Sequence, residues 1–440
     1  MTITFKTLGC KVNQYETQLL REQFASIGWQ EVEEGGDVYL INTCSVTAAA
    51  DRKSRYLINR ALKLNPQPKV IVIGCGVNNR FSGIRDIKGV VFNVRSFASD
   101  KPQTISYFKN HTRAFIKIQD GCDNFCSFCI IPYLRGRSRS RDVEQIITEA
   151  KQLADNRFKE IILSGVNLGA YGKDIGTNLI DLIEELEKIK GIERIRLSSL
   201  NPEDVTQDLI AKFRDSQKLC PHLHISLQSG DDAVLKRMNR PYTSSDFLNL
   251  IERIRKIDPL FSFTTDILVG FPGEGEREFL NTLKLVKKVE FTRTHIFSYS
   301  PREGTKAASF PQRVCSVEIK RRLNLLKEIT TESSYNYRRR FLNQDASPVR
   351  NRTAPRYHPP AAELRGKQVS VGHQRQSFSN SVKVLVEDKR DKDGYLKGYT
   401  ERYVKVLLKG SDKLKNKIIS VRINKVDVER TFGVVEPSER

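Results

Sequence analysis

The 440-residue sequence has one tryptophan, two methionines and six histidines, and no apolar run near the roughly 20 residues that a membrane-spanning helix needs. Helical passage through a bilayer is therefore not expected. Residues 1–13 lack a basic stretch followed by a long apolar one, so nothing there directs the chain to an oxidising compartment. The eight cysteines are expected as reduced thiols in the cytoplasm. Acidic residues are also in short supply: 52 Asp and Glu stand against 74 Lys and Arg, a formal charge of +22. That balance favours a polyanionic partner, nucleic acid foremost, although basic surfaces also serve solubility or attract anionic lipid. The length accommodates two or three domains with proper cores.

Cysteine dominates what is present. Gly121-Cys122-Asp123-Asn124-Phe125-Cys126-Ser127-Phe128-Cys129 sets three thiols at C-x3-C-x2-C spacing, directly after an alternating apolar stretch at residues 114–119. Three thiolates on one tight loop can ligate three corners of a four-iron cube and leave the fourth iron without a protein ligand. Structural zinc wants four protein ligands, and no fourth Cys or His follows closely; the next histidine is His222.

A second trio is scattered. Residues 3–8 read as a strand leading to Gly9 and Cys10, then a helix with Leu19, Leu20, Phe24 and Ile27 on one face and Gly28 as its stop. Residues 37–41 read as a buried strand before Asn42-Thr43-Cys44, residues 53–64 as a helix, and residues 69–73 as a third strand before Gly74-Cys75-Gly76. Loops leaving the carboxyl ends of parallel strands gather on one edge, so Cys10, Cys44 and Cys75 are expected to converge and hold a second metal cluster. Isolated buried cysteines are otherwise common packing residues; Cys220 and Cys315, which have no such companions, read as structural or incidental thiols.

Beyond Cys129, apolar runs at 115–118, 160–163, 194–197, 223–227, 263–269 and 295–299 alternate with helical segments at 143–154, 179–189, 245–257 and 276–289. Repeated β-α units close into a full or partial barrel with its functional loops at the strand carboxyl ends. The cysteine loop then sits at the barrel mouth. Arg135, Arg137, Arg139 and Arg141 recur at i+2, so an extended backbone aims all four to one side, toward phosphates; a solvated loop is the alternative. A helix at 318–340 leads out of the barrel. Residues 345–381, with Pro348, Pro355, Pro359 and Pro360, read as irregular or disordered. Short strands at 382–386, 397–400, 404–408, 418–421 and 426–430 suit a small antiparallel β-barrel. There Lys405, Lys409, Lys413, Lys415 and Lys417 fit phosphate contact, or protection of an exposed edge. The expected class is α/β: an open parallel α/β domain (1–110), a central partial (β/α)6 barrel (111–340), an irregular linker (341–381) and the small β-barrel (382–440).

The three-cysteine loop resembles the radical S-adenosylmethionine motif, with Phe128 the aromatic before its last cysteine. The resemblance implies that the open iron chelates the amino and carboxyl groups of S-adenosylmethionine, and that one electron cleaves this cosubstrate to a 5′-deoxyadenosyl radical. Phe128, Gly165 and Asn167 after the second barrel strand, and Gly270 and Glu274 after the fifth, are then the expected cosubstrate contacts; a turn needing glycine explains Gly165 equally well.

The wider chain is similar to the methylthiotransferase family through Thr7-Leu8-Gly9-Cys10-Lys11-Val12-Asn13-Gln14-Tyr15-Glu16-Thr17, Asn42-Thr43-Cys44, Gly74-Cys75-Gly76, residues 121–132, Ser226-Leu227-Gln228-Ser229-Gly230 and Gly270-Phe271-Pro272-Gly273-Glu274. Residues 345–381 depart from that family's pattern. The likeness implies two [4Fe-4S] clusters, one on Cys122, Cys126 and Cys129 and an auxiliary one on Cys10, Cys44 and Cys75. It also implies an RNA-binding TRAM barrel at the end, an electron donor such as a flavodoxin or ferredoxin, and a monomer. Residues 7–16 and the arginine run most resemble the branch acting on N6-threonylcarbamoyladenosine at position 37, in the tRNA anticodon loop. One S-adenosylmethionine would methylate a sulfur at the auxiliary cluster, while a second would yield the radical that takes hydrogen from C2 of adenine. An unactivated aromatic C–H offers no acidic proton to a side-chain base, so a radical route is sensible. Isopentenyladenosine-37 of tRNA and an aspartate of a ribosomal protein are the alternative substrates. A non-catalytic RNA-binding iron–sulfur protein explains the charge but not two cysteine trios.

Overall fold

A computed structural model of the chain describes residues 1–92, 104–342 and 381–437. The first unit is a parallel sheet in the order β2-β1-β3-β4-β5, built from β1 (Thr2–Thr7), β2 (Gln30–Glu31), β3 (Val38–Thr43), β4 (Lys69–Gly74) and β5 (Val90–Phe92). Every residue of β3 is buried, as a central parallel strand covered on both faces requires. Alternation divides the apolar side chains. Val38, Leu40, Ile71 and Ile73 pack with Leu20 and Phe24 of α1 (Lys11–Ser26), whereas Tyr39, Ile41, Val70 and Val72 pack with Ile58 and Ala61 of α2 (Ala48–Leu62). Cys10 directly precedes α1, and Cys75 opens the short α3 (Cys75–Asn78).

The chain enters the second unit through β6 (Arg113–Lys117). β7 (Gln119–Asp120) and β8 (Arg139–Ser140) then pair antiparallel and pinch off the loop that holds Cys122, Cys126, Cys129 and α4 (Ile131–Arg135). After α5 (Val143–Asp155) come β9 (Glu160–Ser164), α6 (Leu179–Glu187), β10 (Arg194–Leu197), β11 (Ser199–Leu200), α7 (Gln207–Asp215), β12 (His222–Ile225), α8 (Asp232–Arg237), α9 (Ser244–Ile257), β13 (Ser262–Val269), α10 (Glu276–Val289), β14 (Arg293–Ser298) and α11 (Ser316–Arg339). Two parallel sheets, β10-β9-β6 and β11-β12-β13-β14, meet at Ser198, which interrupts what is otherwise one strand. Six parallel strands thus stand in chain order, the open (β/α)6 barrel expected from the alternation of apolar runs.

The third unit is a closed five-stranded barrel, β15-β16-β17-β19-β18, from β15 (Ser381–Arg390), β16 (Leu396–Thr400), β17 (Lys405–Leu408), β18 (Ile418–Val426) and β19 (Thr431–Val435). It corrects the sequence reading twice. β17 pairs with β19 in parallel rather than antiparallel fashion. The last strand is also later than 426–430, because the Asp427 carboxylate accepts from the amides of Glu429 and Arg430 and makes a turn there. The linker expected at 341–381 falls, from 343 to 380, outside the described residues.

The small barrel seats against the amino-terminal ends of the large barrel's strands and closes its floor. Arg194 donates to the carbonyls of Tyr399 and Lys383, and Arg196 to those of Thr400 and Glu401. The Tyr403 ring lies 4.8 Å from that of His222. Beneath this seam Arg196 Nε donates to Glu160 Oε1 at 2.7 Å, both side chains at most 2% exposed. Burial alone would raise the Glu160 carboxyl, but the guanidinium groups of Arg196, Arg113 and Arg194 outweigh it and hold the group below its ordinary range. A carboxyl held low stabilises the fold above the ordinary carboxylate pKa and stops doing so as pH falls through its folded value. Glu160→Gln is therefore expected to cost about 3–5 kcal/mol near neutral pH, with the gap from wild type closing below about pH 4; urea unfolding at pH 7 and at pH 3 checks both.

Candidate active site

β1, β3 and β4 are neighbours in the first sheet, so the loops that follow them bring Cys10, Cys44 and Cys75 to one edge. The approach is close. A Cβ on Gly9 would lie 3.0 Å from Cβ of Cys44 and 3.2 Å from its Sγ, and the φ of +104° there favours glycine on its own account. Asn13 ties the loops together, its Nδ2 donating to the carbonyls of Leu8 at 2.8 Å and Thr43 at 2.9 Å. Cys10 is exposed, Cys44 and Cys75 buried. Burial pushes the Cys44 thiol up and the Cys75 thiol up to about 12; a bound metal supplies the positive charge that ionises such thiols.

The second trio hangs from the barrel's first strand. Gly121 turns with φ +72°, where a Cβ would lie 1.9 Å from the Arg137 carbonyl oxygen. Ser127 pins the loop to the end of α8, its amide donating to the Met238 carbonyl at 3.0 Å and its hydroxyl to that of Arg237 at 2.8 Å. Arg240 sends Nη1 to Cys126 Sγ at 3.1 Å, and its other nitrogens reach Asn201 Oδ1, the Ser226 carbonyl and the Tyr242 hydroxyl. Burial, reinforced by Cys126, pushes Cys129 up to about 12. Between the trios lies Arg135, in α4. Its Nε donates to Cys75 Sγ at 3.2 Å, Nη1 meets Glu16 at 2.9 Å and Asp120 at 3.1 Å, and Nη2 donates to Asn13 Oδ1 at 2.8 Å. One guanidinium thus joins the cysteine edge of the first sheet to the cysteine loop of the barrel.

Residues 116–286 match the model of the radical SAM superfamily, and residues 2–94 that of the uncharacterized protein family UPF0004. The threonylcarbamoyladenosine tRNA methylthiotransferase MtaB of Thermotoga maritima is 40% identical over 369 residues, 78% of this chain and 85% of that one. The chain belongs to the methylthiotransferase family of radical S-adenosylmethionine enzymes. MtaB of Bacillus subtilis is 34% identical over 456 residues, covering 96% of this chain and 94% of that one. A tRNA-2-methylthio-N(6)-dimethylallyladenosine synthase of Caldicellulosiruptor saccharolyticus is 37% identical over 344 residues, covering 70% and 73%. S-adenosylmethionine and a [4Fe-4S] cluster are accordingly the cofactors of this methylthiotransferase. No helix among its described residues is long and apolar enough to cross a membrane.

The arginine run does not keep one face. Arg135 is buried among carboxylates and sulfur, and Arg141 pairs with Glu149 at 2.8 Å while donating to the Lys117 carbonyl. Pro132 starts the helical turn of α4, and Gly136, at φ +80°, reverses the chain, so the backbone is not extended across the run and the i+2 rule fails. Only Arg137 and Arg139 are exposed. The Glu274 side chain is engaged within the protein. Its carboxylate accepts from the Gly270 amide and pairs with Arg322 of α11 at 2.7 Å, both side chains at most 5% exposed, so it clamps the loop after β13. Gly165 answers to close approach, since a Cβ there would lie 2.8 Å from Gln119 Oε1, which accepts from the amides of Val166 and Asn167. Asn167 Oδ1 accepts from Asn201 Nδ2 at 3.3 Å. Phe128 packs edge-on against Phe271 at 6.4 Å. Lys405 is exposed and lines, with Arg293, Lys392 and Arg430, a cleft of about 540 Å³ between the small barrel and β14. Arg240 escaped the sequence reading because its contact with Cys126 spans 114 residues.

Proposed function

We propose that this methylthiotransferase converts N6-threonylcarbamoyladenosine at position 37 of tRNA to its 2-methylthio derivative, using two S-adenosylmethionine molecules and two [4Fe-4S] clusters. Its working parts would be residues 1–110, 111–340 and 382–440. Cys122, Cys126 and Cys129 would hold one cluster, Cys10, Cys44 and Cys75 the other. The observation that carries this reading is the pair of thiol trios on facing loop edges, bridged by Arg135. The donor sets fit: each offers three thiols, which leave one iron of a cube open, and each has a guanidinium donating to one sulfur, Arg135 to Cys75 and Arg240 to Cys126. When bound, the clusters supply the electron that cleaves S-adenosylmethionine and the site from which sulfur is delivered.

The chain's own groups hold the stage. Ser127 and Arg240 fix the cysteine loop, and Gln119 fixes the Gly165–Asn167 turn where the cosubstrate would lie, beside Phe128 and Gly270. The small barrel keeps water from the floor, which protects a radical from quenching. Arg137, Arg139 and Lys405 remain as cations for tRNA phosphates. A flavodoxin or ferredoxin would supply electrons to a monomeric enzyme in the cytoplasm. Mass spectrometry of tRNA nucleosides from a deletion strain tests the substrate. The 2-methylthio form of threonylcarbamoyladenosine should vanish and its unthiolated precursor accumulate. Loss of the 2-methylthio form of dimethylallyladenosine, or of a protein modification, would overturn the assignment.

A further inference from the structure

Inside the barrel, three adjacent strands each contribute a polar side chain: His224 from β12, Asp266 from β13 and His295 from β14. Their ligand atoms all lie within 4.8 Å of one another. Asp266 and His295 are register partners, and His224 is the partner of Thr264, two residues before Asp266 on the same strand. Asp266 is held by His224 Nε2 at 3.2 Å, and Thr264 Oγ1 lies 3.0 Å from His224 Nδ1. His295 makes no such bond among the described residues. Nor does Lys11, half-buried at the start of α1, whose charge bears on Asp266, His295 and His222. Arg293 bears on His295, and Arg113 and Tyr403 on Lys11. By donor type the trio resembles a cation site, but Lys11 already brings a positive charge to Asp266.

The location suits the target base. Ser226, whose carbonyl anchors Arg240 beside Cys126, is two residues beyond His224, about 7 Å of strand. The relatives divide by what N6 of the adenosine carries: dimethylallyl is a hydrocarbon, while threonylcarbamoyl brings a carboxylate, a hydroxyl and urea N–H groups. A hydrocarbon would leave Lys11 and His295 desolvated without hydrogen-bond partners, at a cost that a polar substituent removes.

We infer that Lys11 and His295 bind the carboxylate of the N6 substituent, with Asp266, oriented by His224, accepting from its hydroxyl or urea N–H. The inference rests on the threonylcarbamoyladenosine reading and assigns the residues that choose it.

The test uses reconstituted holoenzyme and anticodon stem-loop RNA whose adenosine carries either the threonylcarbamoyl acid or the corresponding neutral amide. Wild type should favour the acid in kcat/KM by at least about tenfold. Lys11→Met and His295→Phe should each lose that preference through a raised KM for the acid, and Lys11→Arg should keep it. His295 lies far in sequence from every cysteine of the two trios, so its variant guards against Lys11→Met having disturbed neighbouring Cys10. Failure of wild type to thiolate the acid RNA would remove the function reading and this inference together. An acid preference that survives in both variants would overturn this inference alone.

Discussion

Holoenzyme carrying Cys122→Ala is expected to form no 5′-deoxyadenosine from S-adenosylmethionine while keeping about four irons per chain. Cys122 is half-buried, and its structural contacts are few. Its amide donates to the Gly136 carbonyl at 3.1 Å, and among the described residues its sulfur accepts only from the Asn124 amide. Alanine keeps the first of these, and Gly121 still makes the turn. What is lost is one of three thiolates, and no Cys or His nearby in the loop can replace it. Chromatographic assay of 5′-deoxyadenosine after dithionite reduction, alongside iron determination, reads both effects. Cleavage that persisted in this variant would remove the barrel trio from radical formation.

Arg135→Met should be the most disruptive single change between the two trios. The guanidinium, 7% exposed, offsets the Glu16 and Asp120 carboxylates while donating to Cys75 and Asn13. Lys117 also reaches both acids, at 3.1 and 3.2 Å, but one ammonium does not replace a planar fork with several fixed donors. Removing one partner from a buried ionic cluster costs about 3–5 kcal/mol. A lowered urea midpoint and loss of iron from the first sheet's edge are expected. If Arg135 instead met phosphate, as its place in the arginine run first implied, stability would hold and tRNA binding would lose part of its salt dependence. That result would contradict the structural placement.

The contrast between the arginines and the cysteines marks what a sequence makes legible. Cys10, Cys44 and Cys75 could be placed because parallel strands have a direction, and every loop at their carboxyl ends shares an edge whatever its length. The six barrel strands were likewise marked by apolar runs too short for helices. The arginine pattern assumed a continuous extended backbone, and Pro132 and Gly136 broke it within five residues. Glu274 was drawn to the site by its neighbours in the motif, but its partner Arg322 is 48 residues away, in a helix whose register no local pattern sets. The Lys11, His224, Asp266 and His295 group was invisible for a related reason. Each is one polar residue in or beside an apolar element, and only the curvature of the sheet makes them face one another. At the last strand, the Asp427 turn displaced β19 by five residues, since Val426 to Arg430 has strand-like composition at its start and a turn at its end.

Iron counting with Mössbauer spectroscopy on oxygen-free reconstituted protein tests most directly whether two thiol trios hold two clusters. Wild type should carry about eight irons per chain as two [4Fe-4S] signals, and the Cys10, Cys44, Cys75→Ala triple variant about four. Four irons in wild type, or no loss in the triple variant, would contradict it.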